Sequence, residues 1–120
     1  MMSCLCVALG GAIGSVLRYL IGLIKIEESI VFPYKTLAIN IIGSFLIGIV
    51  VALTMKKVDL NPDLVLFFKV GICGGFTTFS TFALESVNLF QSGKILVSLL
   101  YIVLSVTLSV CAIFLAQKIV

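Results

Sequence analysis

Residues 71–82 read Gly-Ile-Cys-Gly-Gly-Phe-Thr-Thr-Phe-Ser-Thr-Phe. They set three glycines, four hydroxyls and three phenylalanines into an otherwise apolar stretch. Gly74 and Gly75 can adopt backbone angles that end a helix, so the run predicts a break at 73–77. At bilayer depth a break frees N–H and C=O groups that lipid cannot satisfy. Such backbone survives only when buried in protein or beside a wet cavity. Half-helix ends and loose carbonyls then become ligands for ions. The chemistry to expect from this segment is ion handling.

The neighbouring side chains suit a small anion. Phe79 and Phe82 lie three apart, so their rings share a helix face, and Glu85, three further on, extends it. The edge of an aromatic ring is positive. Two ring edges can partly offset dehydration of an anion without trapping it, as conduction requires. Ordinary core packing is the other reading of the pair. Ser80 and Thr81 add hydroxyls, and Tyr101, Ser105 and Ser109 follow at steps of four as one polar stripe. Ser98 begins that stripe a turn earlier. Isolated hydroxyls often only bond the preceding turn; alignment over two turns points instead to a pore lining.

Asn40 shares a face with Thr36 and Ser44. Its amide must either bond across helices or face a polar pore, because an unsatisfied amide in hydrocarbon is costly. Carbonyls near Gly74 and Thr77 are oxygen ligands of the kind hard cations take. Two antiparallel chains meeting at a twofold axis would offer a symmetric set to a monovalent cation such as Na⁺. Arg18 shares a face with Gly10, Gly14 and Gly22. It is open between snorkelling to the interface, a buried structural pair and a fixed positive charge for an anion. Gly10 and Gly14 read as a site of close helix approach.

These residues need apolar helices to position them. The chain has 120 residues, is 62% hydrophobic and has a mean hydropathy of +1.35. A membrane helix takes about 20 mostly apolar residues. Four stretches qualify, Met2–Ile24, Thr36–Met55, Leu64–Phe90 and Ile95–Gln117. The expectation is one four-span membrane domain over 1–120 with no soluble domain. The first stretch is too long for a signal-peptide core and lacks a basic start. The third, at 27 residues, fits two half-helices better than one rod. Pro33 sits in a short interfacial turn between Lys25 and Lys35, and Asn61-Pro62 signals a turn before a helix.

Several functions are disfavoured. There is no histidine, no buried pair of carboxylates and no nucleophile beside a base, so an enzyme is not expected. Cys4, Cys6, Cys73 and Cys111 lack metal spacing and read as small hydrophobes. No basic cluster interleaves with aromatics, which argues against nucleic acid.

With four spans, Lys56, Lys57, Lys69 and Lys118 lie on or nearest one side of the membrane. Arg18, Lys25, Lys35 and Lys94 lie nearest the other, a balance of four against four. Orientation follows the Lys/Arg bias of short loops. A balanced count permits insertion both ways and an antiparallel pair; a weak bias selecting one orientation is the alternative.

The run Gly74-Gly75-Phe76-Thr77-Thr78-Phe79-Ser80-Thr81-Phe82, followed by Glu85, resembles the signature of the Fluc (CrcB-like) fluoride channels. Gly10-Gly11-Ala12-Ile13-Gly14-Ser15-Val16-Leu17-Arg18-Tyr19 resembles that family's first-span motif. Thr36-Leu37-Ala38-Ile39-Asn40-Ile41-Ile42-Gly43-Ser44-Phe45 resembles its second. The resemblance implies an all-α membrane protein with the third of four helices broken, paired as a dual-topology antiparallel homodimer. It further implies two fluoride pores, one central structural Na⁺ and passive F⁻ export across a bacterial plasma membrane. By that analogy Phe79 and Phe82 line the pore, and Asn40 is a pore polar group that supports the rings. Ser80, Thr81, Tyr101, Ser105 and Ser109 form the polar track. Glu85 lies toward one pore end, Arg18 lies near the vestibule, and Gly74 and Thr77 give Na⁺ their carbonyls. Selectivity for fluoride over chloride comes from the resemblance alone.

Two other functions compete. A small proton-coupled multidrug exporter also has four spans and dual topology, but that class typically carries its acid within the first span, where this chain has Arg18 and no acid. A packing or assembly subunit without conduction is the third reading.

Overall fold

In lipid, a chain can satisfy its backbone polar groups only within helices or closed barrels. The computed structural model, which describes residues 1–27, 29–56 and 59–120, takes the helical route. Among the described residues there is no strand. Four helical segments are long and apolar enough to cross a membrane: Met2–Gly22, Tyr34–Met55, Pro62–Gln91 and Ile95–Ile119. Large apolar side chains such as Leu9, Leu96 and Phe114 cover their outer faces. Lys57, one of the cations in the charge balance, lies outside the described residues.

The first, second and fourth spans are single helices, here α1 (Met2–Gly22), α2 (Tyr34–Met55) and α6 (Ile95–Ile119). The third is composite: α3 (Pro62–Leu66), a π-helical turn over Phe67–Ile72, α4 (Cys73–Phe76) and α5 (Phe79–Gln91). Asn61 starts it, its side chain accepting from the Asp63 N–H at 2.9 Å with Pro62 in the first turn. Ser3 Oγ donates to Asp63 Oδ1 at 2.8 Å and ties the start of α1 to this end. Gly93, at φ 80°, makes the left-handed turn into α6.

The interruption falls at Thr77 and Thr78, at the end of the 73–77 interval predicted from the glycines and just beyond it. Both threonines are extended, with φ/ψ of −78°/161° and −149°/124°. Gly74 and Gly75 stay helical. The physical reason lies in the side chains. β-Branched residues favour extended backbone. The Thr78 hydroxyl caps α5 by accepting from the Thr81 N–H at 3.1 Å, and Thr77 Oγ1 donates to the Cys73 carbonyl at 2.8 Å.

The glycines serve close approach instead. A Cβ on Gly75 would stand 2.6 Å from the Gly11 carbonyl oxygen. One on Gly10 or Gly14 would strike the backbone of Phe67 or Ile72. So α1 lies directly against the π-turn and α4, while α2 runs along α6, with Gly48 facing Ala116. Ser98, fully buried, fixes α5 on α6: its hydroxyl donates to the Ser86 carbonyl at 2.8 Å.

Candidate functional site

Extended Thr78 leaves an N–H and a carbonyl that no helix satisfies, and α2 supplies the partner. Asn40 Nδ2 donates to the Thr78 carbonyl at 3.1 Å, and its Oδ1 accepts from the Thr78 N–H at 2.9 Å. Of the two roles open to this amide, the structure spends its hydrogen bonds across helices. Asn40 nonetheless borders a cavity, so it holds the broken backbone at the cavity wall.

That cavity, of about 340 Å³, is lined by Asn40, Thr78, Phe79, Phe82, Ser105 and Ser109, with Cys73, Gly74 and Thr77 at its floor. The Phe79 and Phe82 rings are 5.7 Å apart at 57°. Phe82 continues to Tyr101 at 5.2 Å and 60°. Ser105 Oγ is buried without a hydrogen-bond partner among the described residues. Phe79 is 79% exposed, with Phe82 as its ring neighbour.

A second cavity, of about 400 Å³, lies across Thr78 from the first. Arg18, Thr36, Thr81 and Glu85 line it, and Thr78 borders both spaces. Arg18 is half-buried and does not snorkel free: its Nε donates to the Gly75 carbonyl at 3.2 Å. A cation at the end of α4 meets the negative end of that short helix. Tyr101, fully buried, donates its hydroxyl to Glu85 Oε1 at 3.0 Å. The carboxylate at the cavity wall is thereby oriented.

The expected polar track is thus divided. Ser105 and Ser109 face the ring cavity, Thr81 and Glu85 face the arginine cavity, and Tyr101 supports Glu85 from behind. Ser80 joins neither; it is exposed. At 3.6 residues per turn it sits about 160° around α5 from Phe82, so a helix that turns Phe82 toward α6 turns Ser80 away.

For a metal, no cluster of His, Cys, Asp or Glu exists among the described residues. The Gly74 and Thr77 carbonyls receive no hydrogen bond from a described residue, and nothing occupies the space beside Gly74. Uncompensated carbonyl oxygens suit a hard cation of low charge.

Sequence reasoning gave no site role to Thr78, Thr36 or Phe32. Thr78 had a usable signal, a hydroxyl residue just ahead of an apolar periodic helix. Thr36 is buried beside Glu85's cavity. Phe32, a loop residue, stacks edge-on against Tyr101 at 5.5 Å and 83°, a contact only the tertiary fold creates.

Comparison with known proteins gives a consistent result. The family described as CrcB-like protein, Camphor Resistance (CrcB), matches residues 5–117. The chain is 47% identical over 109 residues to the fluoride-specific ion channel FluC of Agrobacterium fabrum, covering 90% of this chain and 87% of that protein. It is 45% identical over 111 residues to the protein of the same name from Rhizobium meliloti, covering 92% and 89%. The corresponding protein of Shewanella halifaxensis is 43% identical over 121 residues, covering 100% and 97%.

Proposed function

The chain belongs to the CrcB-like family, and from that premise we propose that it is a fluoride-selective channel through which F⁻ leaves a bacterial cell passively. The observation that carries the reading is the pairing of two cavities across Thr78, one bearing the Phe79–Phe82 rings and an unpartnered Ser105 hydroxyl, the other Arg18 and Glu85. Hydroxyl protons and ring edges replace water around a small, tightly hydrated anion. Arg18 supplies the positive potential that draws the anion in. The biological logic is electrical: hydrogen fluoride enters in acid, ionises in the cytoplasm, and the membrane potential drives the anion out.

The functional unit is an antiparallel homodimer with two pores and one central Na⁺. Support for pairing is the exposed Phe79 on a cavity open to one side, together with the balanced cations of the two membrane faces. A second copy would cover the ring and close the path. Support for Na⁺ is the Gly74 and Thr77 carbonyl pair; bound there, the ion would stabilise the crossing of two interrupted spans and add positive charge near the anion route.

The exporter reading loses its main support in the first span, where the sole charge, Arg18, is tied to the Gly75 carbonyl. The test is direct. Liposomes containing the purified chain, loaded with fluoride and given a K⁺ shunt but no proton gradient, release F⁻ if the path is a passive channel. Release that demands proton counter-flow contradicts it.

A further inference from the structure

A third cavity, of about 440 Å³, opens beyond the arginine cavity. Its charged and polar lining includes Glu27, Lys35, Glu85, Asn88, Ser92 and Lys94. Two charged residues, Lys35 and Glu85, border both this outer cavity and the inner one that holds Arg18. They therefore stand between the two.

Lys35 is held in place. Its Nζ donates to the Gly22 carbonyl at 2.9 Å, where the C-terminal end of α1 presents negative partial charge. Yet its own backbone lies in the first turn of α2, and Lys94 is the N-cap residue of α6. Cations at helix N-termini oppose the macrodipole, so the stability of α2 and α6 does not account for these lysines, although Lys35 caps α1. An anion does account for them. Both lysines line the walls of one cavity, and rings of Lys or Arg are how anion paths raise local concentration.

We infer that Lys35 is a conduction residue: it offsets the Glu85 carboxylate at the passage and hands the anion from the outer mouth to the cavity of Arg18. Lys94 widens the same field at the outer rim, and Glu27 is the acid that limits it. The inference rests on the anion-channel reading and assigns to Lys35 a role in rate, not in selectivity.

The test compares wild type, Lys35→Gln and Lys35→Arg in liposomes, with F⁻ release followed by electrode at low and high ionic strength. Lys35→Met, which keeps the aliphatic stem without the charge, is the second neutral variant should the glutamine form fail to assemble. The neutral variants are expected to slow release about three- to tenfold at low salt, and the deficit shrinks at high salt because screening removes what the charge contributed. Lys35→Arg restores most of the flux. A neutral variant with wild-type flux at every salt overturns the inference. So does a deficit that is equal at all salts, which marks a structural role for the Lys35–Gly22 bond. Wild-type vesicles that retain fluoride overturn the channel reading and this inference with it, whereas leaking wild type beside an unaffected variant overturns this inference alone.

Discussion

Asn40 grips the backbone of Thr78 from both sides, donating to its carbonyl at 3.1 Å and accepting from its N–H at 2.9 Å. A side-chain amide here does what a neighbouring strand would do in a sheet. It lets Thr78 remain extended inside an apolar span without stranding its N–H or its carbonyl.

Asn40→Leu strips both bonds. Each buried backbone group left unpaired costs about 1–3 kcal/mol. The variant should melt at lower temperature in detergent, and its fluoride flux should fall tenfold or more, since about 1.4 kcal/mol of added barrier suffices for that. Wild-type melting together with wild-type flux would show that Thr78 does not need this partner.

The ring pair is tested by Phe79→Ile and Phe82→Ile. Both retain apolar bulk and lose the positive ring edge. Flux should drop by more than about tenfold in each. Phe82→Ile should also lower stability, because Phe82 packs on Tyr101, whereas Phe79 has no such partner on its exposed side. Unchanged flux in both variants would favour a non-conducting assembly subunit.

Glu85→Gln separates a channel from a coupled exporter. The amide oxygen still accepts from the Tyr101 hydroxyl, so the site keeps its geometry. A passive channel should change in rate by less than about tenfold. Complete loss of transport, restored by no voltage, would mark Glu85 as a coupling acid.

Adjacent glycines should behave differently. Gly75→Ala drives a Cβ to 2.6 Å from the Gly11 carbonyl oxygen and 3.0 Å from its Cα, both backbone atoms. Overpacking of that kind costs about 1–3 kcal/mol, read as lost thermal stability. Gly74→Ala meets nothing in a single chain. It should leave the helices intact and weaken only the pairing of two copies, seen as a shift toward monomer on gel filtration. Equal effects from the two substitutions would contradict this division.

Much of the scaffold is legible in the sequence because lipid imposes a simple rule on it. The helix ends Met2, Met55 and Ile95 follow from hydropathy alone. The third span's length announces its interruption, but its composition misdirects the eye. Glycine reads as a breaker, and only the packing reveals that Gly75 is glycine to admit Gly11 while Thr77 and Thr78 carry the extended backbone. The stripe of Tyr101, Ser105 and Ser109 is equally visible, yet Tyr101 turns its hydroxyl to Glu85 and leaves Ser105 as the free one. Ser80 shows the limit of a local reading: adjacency to Phe79 says nothing about the face it takes. Phe32 comes from a loop and Lys35 from the first turn of α2 just after it, where no periodicity yet betrays which cavity a side chain borders.

Fluoride selectivity is the claim on which the rest turns, and dual-anion release from vesicles bearing only this chain tests it most directly. Loaded with F⁻ and Cl⁻ together and short-circuited with a K⁺ carrier, they should empty of fluoride within the assay and keep their chloride. Equal loss of both anions, or retention of both, would contradict the account.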